Sequence, residues 1–164
     1  MYKRQQLCDP DISANFRTIV FDVPRHGKSL PPAGWHLEED EYKLTTSFYA
    51  EFIVEFCRAL ELHKPVIMGQ SMGGNICLEL ALRYENEFSA LIAMEACDYS
   101  PGWWIDPLHH PEIHGGEAVA TSVFGLMSPE SPDEYRWETW WYYAQGGPGI
   151  FKGCLLYTSP SPRD

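Results

Sequence analysis

The run PVIMGQSMGGNICLEL (residues 65–80) passes from β-prone residues into a helical pattern through one serine set among glycines. The residues before Gly69 suit a short buried strand, and the apolar residues after Gly73 recur at helical spacing. A chain that turns from strand to helix within so few residues needs small residues where its backbone segments approach each other. The run therefore predicts a strand, a sharp turn at Ser71 and a helix.

Two interpretations of this turn are open: a glycine-rich loop with a surface serine, or a nucleophile held on a strained turn. The sequence GQSMG (69–73) matches G-x-S-x-G, and a strand before it with a helix after it is the context that this motif requires. Such a turn exposes the hydroxyl, and the helix directs its N-terminal dipole at negative charge developing there. We favour Ser71 as nucleophile and the Met72 N–H as an oxyanion donor. The steric needs of the turn are assigned to Gly69, Gly73 and Gly74.

Strands and helices alternate along the first two thirds of the chain. The predicted strands are 16–22, 65–69 and 89–96, and the predicted helices are 47–62 and 71–87. Ser47 is the expected N-cap of the first helix. Its expected apolar face carries Phe48, Phe52, Ile53, Phe56 and Leu60. Alternation of this kind is typical of parallel βαβ units with helices covering the sheet, so the predicted fold class is α/β.

A second segment carries a family resemblance. The sequence DVPRHGKS (22–29) resembles the D-x-P-G-H-G-x-S turn of α/β-hydrolase-fold enzymes and lies upstream of G-x-S-x-G at that family's usual separation. The similarity covers about residues 16–96, with Arg25 where the family usually has glycine. It implies a partial parallel-sheet α/β-hydrolase core at 6–97 and the start of an α-helical cap at 98–153. The implied activity is hydrolysis of a small ester or related carbonyl substrate through an acyl-enzyme on Ser71.

The predicted cap is rich in tryptophan, and helices are expected at about 115–127 and 132–144. Its aromatic residues either pack the core of this insertion or form the wall of an apolar substrate pocket. The second interpretation assigns the pocket to Trp103, Trp104, Trp137, Trp140 and Trp141.

Both ends resemble translated adapter sequence of the kind that borders reading frames in environmental assemblies. Residues 1–5 and 154–164 are therefore expected to be non-native tails. The resemblance places an oxyanion loop before 16–22 and the catalytic acid and histidine after the cap, so we expect these beyond both ends and this chain to be catalytically silent. Glu95, at a strand end, is a secondary candidate for the acid, while His26 is expected to be structural.

Composition excludes several partners. A net charge of −11 argues against nucleic acid and anionic membrane surfaces, and no apolar run is long enough to span a bilayer. The five cysteines show no C-x-x-C spacing, which favours reduced thiols, no metal site and a cytoplasmic location. No cofactor is expected, and the expected partner is a small-molecule substrate. The alternatives are C–C hydrolysis, perhydrolysis or lyase chemistry on the same scaffold, or a binding protein without catalysis.

Overall fold

The computed structural model describes residues 7–30, 33, 45–97 and 113–145. The chain divides into two compact units. We call residues 41–105 with 152–164 the sheet unit, and residues 1–40 with 106–151 the helical unit.

The described elements follow one another in a simple order. They are α1 (Pro10–Asn15), α2 (Thr46–Ala59), β1 (Val66–Gln70), α3 (Met72–Arg83), a 3-10 turn (Glu85–Glu87), β2 (Ala90–Met94), α4 (Gly115–Leu126) and α5 (Asp133–Ala144). Among them, no helix combines the length and the hydropathy that a membrane crossing requires.

The sheet unit is built on a parallel β1–α3–β2 arrangement. The register pairs Val66 with Ala90 and ends with Gln70 opposite Met94. Helix α3 packs against both strands and against α2. The core between these elements consists of small and branched side chains and one phenylalanine: Ala50, Ile53, Val54, Cys57, Ile76, Cys77, Leu80 and Phe88. The predicted α/β class, a partial α/β-hydrolase core, is confirmed.

The sheet is covered on one face. Side chains alternate along each strand, so neighbouring residues point to opposite faces. Ile67 and Leu91 are half-buried, whereas Val66, Met68 and Ile92 are about half exposed, at 55%, 47% and 45%. The second face of the β1–β2 pair is therefore an apolar surface that is partly exposed to solvent.

The N-cap of α2 lies two residues before the expected one. The side chain of Thr45 accepts a hydrogen bond from the Phe48 N–H at 3.1 Å, so Thr45, not Ser47, caps the helix. The buried stripe also differs from the prediction. Of the expected apolar face only Ile53 is buried, and the stripe continues through Ala50, Val54 and Cys57. Phe48 and Leu60 are exposed, because the buried side of the helix is rotated from the predicted face toward these smaller residues.

The end of α2 is closed by a Schellman motif. The Leu62 N–H donates to the Cys57 carbonyl at 3.0 Å, and the Glu61 N–H donates to the Arg58 carbonyl at 2.9 Å. This motif places its C′ residue in the left-handed region, and here that residue is Glu61, with φ 53°. A glutamate therefore occupies a position that favours glycine.

The predicted strand at 16–22 is not formed in the part of the chain that the structure describes. Phe16 is 70% exposed and Val20 is 39% exposed, and the segment carries no ladder of strand hydrogen bonds. A strand requires a neighbour to accept and donate its backbone hydrogen bonds. Its β-branched composition alone does not supply one.

The turn at 22–29 is tightly closed in the helical unit. Asp22 anchors it twice: its carboxylate accepts from the Lys28 N–H at 3.1 Å and its carbonyl accepts from the Ser29 hydroxyl at 2.8 Å. Gly27 and Arg25 both have positive φ, 53° and 64°. Arg25 thus adopts a glycine-like backbone at the position where the resembling motif has glycine.

Helices α4 and α5 start and end within one residue of the predicted bounds. The Nδ1 of His114 caps α4 by accepting from the Glu117 N–H at 3.2 Å. The two helices pack against each other, with the rings of Phe124 and Trp137 5.1 Å apart and the guanidinium of Arg136 4.4 Å from the Phe124 ring centre.

Candidate active site

Ser71 is the single residue between β1 and α3, and the chain reverses its direction there. Its backbone angles are φ 54° and ψ −118°, a region that side-chain-bearing residues rarely adopt, and its side chain is exposed. Holding such a residue costs about 1–3 kcal/mol, which the surrounding packing must supply. The predicted strained turn from strand to helix is present at residues 69–73.

The steric demands of this turn fall on two of its three glycines. A Cβ at Gly69 would overlap the backbone carbonyl of Gly73, and one at Gly74 would lie 2.6 Å from the Met94 carbonyl oxygen. A Cβ at Gly73 would meet nothing within 4 Å. The expectation that Gly73 itself has no room for a side chain is therefore not met. Gly73 matters through its backbone, which Gly69 approaches.

The amide groups after the turn are not equivalent. The Ser71 N–H donates to the Met94 carbonyl at 2.9 Å and is therefore occupied. Met72 is the first residue of α3, and its N–H has no acceptor among the described residues. Because the first N–H groups of a helix lack partners within that helix, the Met72 N–H is available to an anion at the Ser71 side chain.

Glu95 follows β2 directly and lies beside the turn. Its carboxylate Oε2 accepts a hydrogen bond from the Gln70 Nε2 at 2.5 Å. Glu95 is exposed and has φ 49°, so it too has an unfavourable backbone conformation. Sequence reasoning singled out Glu95 but missed Gln70 as its partner. The available signal was that both are polar residues at the ends of neighbouring strands.

The described histidines are engaged elsewhere or exposed. The Nδ1 of His26 lies 3.0 Å from the Pro24 carbonyl, and the Nδ1 of His114 caps α4. His63 is exposed in the turn after α2. His36, His109, His110, Asp98, Trp103 and Trp104 lie outside the described residues.

Two cysteines of the sheet unit, Cys57 and Cys77, are buried in its core. Burial raises the pKa of the Cys77 thiol, and a hydrogen bond with the Gly69 backbone offsets part of that rise. Burial, and then the charge of Glu87, raises the pKa of Cys57. All four cysteines in the described part of the chain are free thiols, and no group of three His, Cys, Asp or Glu there could hold a metal.

The tryptophans of α5 differ in exposure. Trp137 and Trp141 are 59% and 62% exposed, whereas Trp140 is half-buried with its ring 6.1 Å from that of Trp137. Trp140 and Trp137 therefore contribute to packing in the helical unit, while much of Trp137 and Trp141 remains open to solvent. These exposures are compatible with both interpretations of the aromatic residues, core packing and the wall of an apolar pocket.

A parallel βαβ unit with a strained serine at the strand-to-helix turn is the arrangement in which the α/β-hydrolase fold presents its G-x-S-x-G motif. Residues 5–114, well over half of the chain, match the family model for the alpha/beta hydrolase fold. The chain belongs to this family.

Two curated relatives match about half of the chain each. The chain is 30% identical over 81 residues to the "Putative non-heme haloperoxidase" of Mycobacterium phage D29, a match covering 49% of this chain and 26% of that protein. It is 32% identical over 93 residues to "Protein PHYLLO, chloroplastic" of Arabidopsis thaliana, covering 56% of this chain and 5% of that protein. The matches thus span a quarter of the first relative and a small part of the second.

Proposed function

We propose that this chain carries the nucleophile of a serine hydrolase that acts on small esters or related carbonyl compounds. The observation that supports the proposal best is the conformation of Ser71, with φ 54°, beside the available N–H of Met72. A structural loop serine has no need of a strained backbone, whereas a nucleophile benefits from being held clear of its neighbours.

The proposed reaction proceeds in two acyl transfers. The Ser71 Oγ attacks the acyl carbon, its proton passes to a general base, and the resulting oxyanion accepts a hydrogen bond from the Met72 N–H. The intermediate collapses and the alcohol leaves with that proton, giving an acyl-enzyme. Water then attacks the acyl group in the same way, the acid is released, and Ser71 regains its proton.

In this proposal residues 6–97 form the partial core and residues 98–153 begin a cap, with residues 1–5 and 154–164 as non-native tails. Trp103, Trp104, Trp140 and Trp141, with Trp137, would supply an apolar wall for the acyl or alcohol group. The exposure of Trp137 and Trp141 supports this role. Truncating Trp140 and Trp141 together to alanine should reduce turnover of bulky substrates more than of acetyl esters in an active extended form. An equal loss for both would favour packing alone.

We propose that the 164-residue chain itself is inactive, because none of the histidines that the structure describes is hydrogen-bonded to Ser71, and the Nδ1 atoms of His26 and His114 contact other groups. A missing base costs about 10²–10⁴-fold in rate. A missing oxyanion donor costs a further factor of about 10²–10³. Ester hydrolysis by the chain should therefore not exceed that of its Ser71→Ala variant. Serine-dependent multiple turnover would contradict this.

The function is tested on a longer polypeptide that contains this sequence together with a catalytic acid and histidine. A fluorophosphonate should form one adduct, located at Ser71 by peptide mass spectrometry, and Ser71→Ala should form none. An adduct that persists in Ser71→Ala, or the absence of any adduct in the unmodified polypeptide, would overturn the assignment. A binding protein without catalysis predicts the second result.

A second candidate is perhydrolysis, in which hydrogen peroxide replaces water in the second acyl transfer and a peracid is released. The similarity to the phage protein named a non-heme haloperoxidase favours it over C–C hydrolysis and lyase chemistry. The ratio of peracid to acid formed from one ester in the presence of peroxide distinguishes the two reactions.

A further inference from the structure

The last residue of β2 and the three residues after it, 94–97, are hydrogen-bonded to the serine turn and to the first turn of α3. Three hydrogen bonds make the connection: Ser71 N–H to the Met94 carbonyl at 2.9 Å, Gln70 Nε2 to Glu95 Oε2 at 2.5 Å, and Cys97 N–H to Asn75 Oδ1 at 2.9 Å. Two of the three hydrogen bonds are made by Gln70 and Ser71, which are adjacent in the turn. The turn is therefore held from β2 as well as from β1.

The Gln70–Glu95 hydrogen bond connects the two strand ends at which a residue has an unfavourable backbone conformation. Gln70 lies opposite Met94 in the strand register, so Glu95 is the first residue beyond the paired part of β2. Ser71 and Glu95 both have positive φ, 54° and 49°. Each unfavourable conformation directly follows the last residue of its strand. The Gln70–Glu95 bond links these two ends outside the backbone ladder.

We propose that Gln70 and Glu95 form a positioning pair that fixes the backbone at Ser71 and Met72, and that Glu95 acts as a hydrogen-bond acceptor for Gln70 rather than as the acid of a catalytic triad. The bond at 2.5 Å commits the carboxylate to an amide donor next to the nucleophile. The pair requires only an acceptor oxygen at position 95, and the negative charge of Glu95 has no role in it. The consequence for catalysis, though not the pairing itself, rests on the proposed function.

The distinction leads to opposite expectations for two variants. Glu95→Gln keeps a carbonyl oxygen of the same reach and removes the charge. Glu95→Ala removes both. A positioning pair tolerates the first and not the second, whereas a triad acid tolerates neither, because it must stabilise an imidazolium.

The test measures residue-resolved amide hydrogen exchange by NMR on the 164-residue chain, which requires no activity. In Glu95→Ala and in Gln70→Met, exchange at the Ser71 amide, which is hydrogen-bonded to the Met94 carbonyl, should accelerate about tenfold, as expected when a neighbouring local hydrogen bond is lost. Amides of Leu80 and Ile92 serve as internal controls and should change less than twofold. The double variant should accelerate no more than either single one, because both remove the same bond.

Glu95→Gln should exchange within about twofold of the unmodified chain, and Ser71→Ala should do the same, since neither removes the acceptor. Acceleration in Glu95→Gln equal to that in Glu95→Ala would overturn the proposal, as would a uniform acceleration that includes Leu80 and Ile92. In an active extended polypeptide, a loss of about 10⁴-fold in kcat for Glu95→Gln would identify a triad acid instead. Failure of the phosphonate test alone would leave the exchange result standing, so the two proposals fail separately.

Discussion

At the scale of single residues, the serine turn is where local preference and tertiary structure conflict most. Ser71 holds a backbone conformation that glycine adopts readily and serine does not. Contacts from residues on both sides of the turn maintain it. The structure should therefore be more stable with a residue that has no such conflict.

We expect Ser71→Gly to raise the free energy of unfolding by about 1 kcal/mol, because relief of the strained φ exceeds the added flexibility of the unfolded chain. Ser71→Ala is the matched control, since it removes the hydroxyl and keeps the strain, and it should change stability by less than about 0.5 kcal/mol. Urea unfolding followed by circular dichroism measures both. Equal stability of the two variants would show that the turn is not strained.

The glycines of the turn give a second matched pair. Gly69→Ala should lower the free energy of unfolding by about 2–3 kcal/mol, because its Cβ would overlap the Gly73 carbonyl. Gly73→Ala has open space and lies in the first turn of α3, so it should be neutral or stabilising by up to about 1 kcal/mol. Thermal unfolding of the two variants side by side decides this, and a larger loss for Gly73→Ala would contradict the geometry.

At the scale of elements, the end of α2 offers a change that the sequence alone does not suggest. Glu61→Gly should stabilise the protein by about 0.5–1 kcal/mol, because Glu61 occupies the left-handed C′ position of the Schellman motif. The same substitution at Glu51, an exposed residue inside α2, should destabilise by about 1 kcal/mol. Opposite signs in urea unfolding are the expected result, and equal signs would contradict the assignment of the motif.

Helices with a clear period were predictable, and details set by tertiary contacts were not. Helices α4 and α5 were predicted within one residue at either end because flanking glycines and prolines mark their ends. The N-cap of α2 is Thr45 and not the predicted Ser47, because the hydroxyl of either residue could accept a hydrogen bond from a helix N–H. The strand at 16–22 was predicted from composition, yet strand formation depends on a partner that composition does not specify.

The candidate site also has features that the local sequence predicts and features that depend on tertiary contacts. The turn at Ser71 follows from local sequence, because glycine spacing and the change of period lie within ten residues. The Gln70–Glu95 bond spans 25 positions in sequence and depends on the register of two strands. The glycine-like φ of Arg25 agrees with the glycine of the resembling motif, whereas the arginine side chain itself gives no sign of it.

At the scale of the whole molecule, the open face of the β1–β2 pair affects behaviour in solution. Parallel sheets are normally covered on both faces, and an exposed apolar sheet favours association. We expect the 164-residue chain to self-associate through this face.

Replacing Met68 and Ile92 with threonine keeps β propensity and makes the face polar. Sedimentation velocity across a concentration series should show association shifted to about tenfold higher concentration, a change of roughly 1.4 kcal/mol. Leu82→Gln is the matched control, because Leu82 is 82% exposed on α3 and away from the sheet face. If Leu82→Gln dissociates the chain as well, association does not proceed through the sheet.

The parallel β1–α3–β2 arrangement has a consequence for synthesis on the ribosome. Every described contact that shapes the turn at Ser71 lies between residues 66 and 97, one uninterrupted stretch of chain. Contacts that are close in sequence form quickly, and polypeptides begin to fold from the N-terminal side while translation continues. The serine turn can therefore assemble once Cys97 has left the exit tunnel, before the tryptophan-rich helix α5 has emerged from it.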